Sequence, residues 1–160
     1  MTSILQIIND PNDMFLDTRL ANFEDNTPEK KILEIFCYGT IQDYYAIKDS
    51  LPDYLQLSSE SHGIKKLIKL SLLSAFDQKN SITYSELMEI GCIQNITELE
   101  KILVDLVAEG YLTAQVEQDK QTVFVTRSAH RCVKNDQAEI QVLLDRISGI
   151  RNKINEALLE

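Results

Sequence analysis

Between Ile64 and Thr126 the hydrophobic pattern changes period in a fixed order, and that order is what most narrows the folds open to this chain. Ile64–Leu73 is apolar at 64, 67 and 68, and the stripe continues through 72 and 75, the spacing of one helical face, with Lys65, Lys66 and Lys69 assigned to the other. Thr83-x-x-Glu86 then opens a short helix, because a threonine hydroxyl and a glutamate three residues on can satisfy each other's free backbone N–H groups. Asn95-x-x-Glu98 opens a longer helix in the same way, running to about Glu109, where Gly110 stops it. Two runs follow, Leu112–Glu117 and Thr122–Thr126, rich in β-branched residues and alternating with period two, with a turn around Asp119-Lys120. Three helices followed by a hairpin is the order of a winged helix. With only three prolines and five glycines, the rest of the chain has few hairpin turns to offer and is expected to be helical.

Upstream, Ser3–Phe23 is weakly helical and broken at Asp10-Pro11-Asn12. Thr27-Pro28-Glu29 combines a cap, a proline at the first helical position and an acid in the first turn. Ile32, Leu33, Ile35 and Phe36 continue that helix. Gly39 fits the position just past a helix end, where φ is positive, and Thr40 with Asp43 fits a new cap. Tyr38-Gly39-Thr40 therefore reads as the corner of a helical hairpin, with Tyr38, Tyr44 and Tyr45 packed around it and their hydroxyls turned to water. The second helix should stop near Asp49, ahead of Pro52.

At the other end, Asn135–Glu160 reads as one long helix. Leu143, Ile147, Ile150, Ile154 and Ala157 recur at spacings of 4, 3, 4 and 3, a heptad seam that Ile140, Leu144 and Leu158 widen. Two roles are open to it: folding back as ordinary core, or binding helices of partner subunits. Its place after a complete domain favours the second, and Gly149, costing about 1 kcal/mol relative to alanine, suits a helix held in a bundle. The partner-binding candidates on this seam are Leu143, Ile147, Ile150, Ile154 and Leu158. The hairpin offers another surface, since unpaired strand N–H and C=O groups invite sheet extension across subunits; Val123, Phe124 and Val125 are the sheet-edge candidates.

Catalysis finds no support. His62 and His130 are far apart, and no HExxH pair, GxSxG elbow or GxxxxGK loop is present. Cys37, Cys92 and Cys132 form no CxxC pair, which leaves buried or half-buried thiols in a reducing compartment. No catalytic residue, cofactor or metal ligand is assigned. A formal net charge of −9 argues against nucleic acid as a partner. The helix that would enter a major groove, Ile96–Glu109, carries Glu98, Glu100, Asp105 and Glu109 against Lys101 alone. Lys65, Lys66 and Lys69, or Arg127, His130, Arg131 and Lys134, form at most a modest basic strip. No apolar run approaches the roughly 18 residues of a membrane span, and MTSILQIIND has no secretory pattern, so cytoplasm and nucleus are expected. At 160 residues no disulfide or metal is needed for stability.

The corner carries a further signal. Tyr38-Gly39-Thr40, Asp43-Tyr44, Ala46, Lys48 and Ser50-Leu51-Pro52 closely resemble a stretch of the subunit-seven family of the COP-nine signalosome. The lysine-rich helix from Lys65, Thr83-Tyr84, Asn95–Glu100 and Val116-Glu117-Gln118 follow in that family's order, over roughly residues 30 to 126. The resemblance implies a PCI domain: helical repeats (1–63), a winged helix (64–127), and a C-terminal helix (128–160) joining a bundle of subunit helices. It further implies a non-catalytic scaffold with other PCI-domain subunits as partners, in a complex whose metalloprotease subunit removes a ubiquitin-like modifier from cullins. The family's longer N-terminal region and charged C-terminal tail are short or absent here, which fits a compact, divergent member or a shortened chain. A second resemblance runs through Asp10-Pro11-Asn12, Met14-Phe15-Leu16 and Ser128-Ala129-His130-Arg131, to the m subunit of translation initiation factor three, also a PCI scaffold. A winged helix that binds nucleic acid is the more remote alternative.

Overall fold

The computed structural model describes residues 3–131 and 137–159, with side chains at 137–140 outside the description. The chain is mostly α with one small sheet and a long final helix. Its elements are α1 (Ile4–Asn9), α2 (Pro28–Tyr38), α3 (Ile41–Ile47), α4 (His62–Gln78), β1 (Ser81–Thr83), α5 (Tyr84–Gly91), α6 (Ile96–Ala108), β2 (Leu112–Glu117), β3 (Thr122–Ser128) and α7 (Gln137–Leu159). Short 3₁₀ turns at Asp17–Asn22, Lys48–Ser50 and Asp53–Leu55 link the first helices.

The capping chemistry sits where the sequence puts it. The Thr27 hydroxyl accepts from Lys30 N, with Pro28 opening α2. Thr40–Asp43 and Thr83–Glu86 close as reciprocal capping boxes, and Asn95 accepts from Glu98 N. One core cluster then runs from Ile4 to Val123. Its axis is α4, buried nearly all round at Gly63, Ile64, Leu67, Ile68, Leu70, Leu72, Leu73 and Phe76, so this helix serves the upstream helices and the winged-helix part together.

The sheet has three strands in the order β1-β3-β2, all antiparallel. Ser81–Thr83 is too short to show an alternation, yet it pairs Ser81 with Phe124, Ile82 with Val123 and Thr83 with Thr122. A bond from Val125 N to Asn80 O at 2.7 Å extends the ladder. The consequence is a correction: β3 is the central strand, so Val123, Phe124 and Val125 lie on no edge. Val123 is fully buried and Phe124 faces outward from the sheet; the free edges belong to β1 and β2.

Two expectations at the α2–α3 corner also change. Gly39 is extended (φ −94°), not left-handed. A Cβ there would meet Ile35 Cα and Asp43 Oδ2, each at 3.1 Å, so the glycine permits close approach of two helices. Tyr44 is fully buried, and its hydroxyl accepts from Leu57 N at 2.8 Å instead of facing water; desolvation raises its pKa. On α4, Lys66 is buried where the pattern put it on the polar face. Its ammonium donates to Asp10 O (2.7 Å) and Asp13 O (2.6 Å), pinning the N-terminal turn to α4.

Candidate subunit interface

Three features follow from this fold: a free helical seam, an apolar groove beside the sheet, and a buried arginine that fastens the segment leading toward the seam.

The seam lies on α7. Leu143, Ile147, Ile150, Ile154 and Leu158 are between 55% and 78% exposed. Every side chain from 141 to 159 is exposed. These side chains are not part of the core cluster in this structure. Placing five such side chains against another surface would gain on the order of 5–10 kcal/mol before the entropic cost of association. Ile140 lies outside the described side chains.

The groove runs between α6 and β2, with a volume of about 430 Å³. Leu103, Leu112 and Val123 form its buried floor, while Val104, Val107 and Val116 stand exposed along it. At one end Glu100 Oε1 accepts from the Tyr84 hydroxyl (3.0 Å) and from Gln118 Nε2 (3.3 Å). Burial and the Glu100 carboxylate raise the Tyr84 pKa. This surface was not foreseen from sequence. The signal was present on α6, where Leu99, Leu103 and Leu106 supply the buried face and Val104 and Val107 are apolar beyond it. The edge beside the groove is β2, not β3.

Arg131 closes the corner. It is 8% exposed, and its guanidinium donates to Gly39 O (2.6 Å), Phe36 O (2.9 Å), Ile35 O (3.3 Å) and Ser74 Oγ (2.8 Å). Carbonyls at a helix end need partners from outside the helix, and a cation at that end also suits the helix dipole. Burial lowers the Arg131 pKa, with Cys37 and Asp43 opposing that shift. Ser71 on the same face of α4 accepts from Ile41 N (2.9 Å), so one corner is tied to α4 from both sides.

The possible basic strips do not assemble. Arg131 and Lys66 are buried, Lys69 pairs with Glu109 (2.7 Å), His130 Nδ1 lies 2.6 Å from Asp77, and Lys134 is outside the described residues. Among the described residues no group of three His, Cys, Asp or Glu side chains could hold a metal, and no helix is long and apolar enough to cross a membrane. Cys37 is buried and Cys92 exposed, while Cys132 is outside the description.

Comparison with known proteins agrees with this architecture. A PCI domain is found over residues 54–127. The chain is 31% identical over 146 residues to COP9 signalosome complex subunit 7 of Dictyostelium discoideum, covering 84% of this chain and 52% of that protein. It is 26% identical over 136 residues to COP9 signalosome complex subunit 7a of Pongo abelii (79% and 48%). It is also 26% identical over 135 residues to eukaryotic translation initiation factor 3 subunit M of Nematostella vectensis (80% and 35%). The chain spans about half the length, or less, of these curated relatives.

Proposed function

We propose that this PCI-domain chain is a non-catalytic scaffold subunit of a COP9 signalosome, held among other PCI subunits through the seam of α7. One observation carries the reading: a long helix bears an exposed heptad stripe after a body whose core is already closed. The likeness to signalosome subunit 7 proteins indicates which assembly would cover that stripe. In this reading the removal of the ubiquitin-like modifier from cullins is performed by another subunit, and this chain contributes placement. It would work in cytoplasm and nucleus. The likeness to initiation factor 3 subunit M supports a second reading, the same scaffold role in that factor.

The test is affinity purification of the tagged full chain from its native cell, with mass spectrometry of the eluate, beside an Ile147→Asp/Ile154→Asp variant. Signalosome subunits with the parent chain, and their loss with a variant of unchanged circular-dichroism melt, are expected. Initiation-factor subunits in their place would select the second reading. An unaltered eluate with the variant would remove the seam as the interface.

A further inference from the structure

From Leu143 to Leu158 the borders of the α7 seam carry one sign of charge. At about 100° per residue along a helix, Arg146 and Lys153 fall on one side of the stripe, each immediately before an isoleucine of the seam (Ile147, Ile154). Arg151 falls on the other side, immediately after Ile150. Asp145 and Glu156 fall on the opposite face, where Gln141 donates to Asp145 at 2.9 Å. All three cations are exposed. From Leu143 to Leu158 the seam is thus bordered by cations and by no acid, a local reversal of sign in a chain of net charge −9.

Border residues of a helical seam face the border residues of whatever helix covers it, and opposite signs there set partner choice and orientation. A second copy fits poorly. In a parallel pair Arg146 of one helix faces Arg151 of the other, and in a fully overlapped antiparallel pair Arg146 faces Lys153; both repel. We infer that α7 selects a partner helix whose apolar stripe is bordered by Asp or Glu, and that Arg146, Arg151 and Lys153 are the specificity determinants. This rests on the seam being the subunit interface.

The probes are two synthetic amphipathic helical peptides with one shared Leu/Ile stripe, differing only in Glu or Lys at every border position. Each is fluorescently labelled and titrated with the full chain by anisotropy, at low and at raised salt. The Glu-bordered peptide should bind at least about tenfold more tightly, since three pairs change sign between the peptides, and the gap should narrow with salt. Arg146→Glu/Arg151→Glu/Lys153→Glu should invert the preference. Equal affinities, or preference for the Lys-bordered peptide, would overturn the inference. So would a stable homodimer in sedimentation that is lost with Ile147→Asp/Ile154→Asp, since a second copy would then cover the seam. If neither peptide binds while native assembly still requires Ile147 and Ile154, the charge rule fails and the interface stands. If assembly is also indifferent to those isoleucines, the interface itself fails.

Discussion

Replacing Arg131 should loosen the whole body, and three variants separate the reasons. The side chain closes the α2 terminus with three donated bonds and reaches Ser74 Oγ on α4 with a fourth; among the three carbonyls Ile35 O keeps another partner, since Gly39 N donates to it at 2.8 Å. Arg131→Ala would therefore orphan Phe36 O in a buried place and Gly39 O in a part-buried one. At about 1–3 kcal/mol for each unsatisfied group, the gross loss is about 2–6 kcal/mol. Two terms reduce it: the guanidinium no longer has to be desolvated, and water can enter the emptied space. A net loss of about 3 kcal/mol follows, or on the order of 10 °C in melting temperature for a domain of this size. Arg131→Met keeps most of the volume and none of the donors. Arg131→Lys keeps the charge and some donors but loses the planar fork, and should fall between parent and alanine.

Urea titration followed by circular dichroism at 222 nm measures the three. The expected order of midpoints is parent, then lysine, then methionine close to alanine, with similar slopes. If methionine restores most of the stability lost in alanine, the residue acts by filling space and the carbonyl argument is wrong. A loss below about 1 kcal/mol for alanine would refute it as well, since water would then be serving those carbonyls as well as the guanidinium does.

Gly39→Ala should cost about 1–3 kcal/mol in the same assay, because its Cβ would sit 3.1 Å from backbone that cannot give way, whereas Gly149→Ala, with open space around it, should strengthen α7 by about 1 kcal/mol and raise the helical signal. Lys66→Ala should expose the N-terminal turn: amide exchange by mass spectrometry should speed up across residues 4–16 and change little in the sheet, since the ammonium's two acceptors, Asp10 O and Asp13 O, both lie in that segment. The Glu86 pKa is lowered from 4.5, first by the Thr83 N–H and then by Lys79, so its charged form favours the fold above that value. The stability gap between parent and Glu86→Gln should be full at pH 6, shrink as pH falls through the folded pKa, and close below it; a gap that persists to low pH would mean that the carboxylate charge is not its source.

How far the sequence could be read depended on the range of the interaction. Caps were legible at Thr27, Thr40, Thr83 and Asn95 because a cap and its partner lie within three residues of each other. The α7 stripe was legible because a heptad is a local repeat. What escaped were pairings distant in sequence. β1 is three residues long and is a strand only because β3 lies beside it, which is also why Val123–Val125 moved from edge to centre. Lys66 reads as one more surface lysine until Asp10 and Asp13 present their carbonyls to it. Arg131 reads as part of a basic strip until its partners appear 57 to 96 positions upstream.

Arg131 also connects the two segments from which the sequence drew different resemblances. Tyr38-Gly39-Thr40 suggested one PCI subunit and Ser128-Ala129-His130-Arg131 another, yet here they form a single contact, with Gly39 O accepting from Arg131 at 2.6 Å. Each half needs the other: the corner leaves carbonyls that a cation must close, and the arginine, buried without them, would have little to offset its desolvation. Two resemblances that compete as names are therefore compatible as physics, because both segments build the same joint. That joint lies six residues before α7 begins. The joint therefore belongs to the same buried core that α4 organises, while the described side chains of α7 from 141 onward lie outside it.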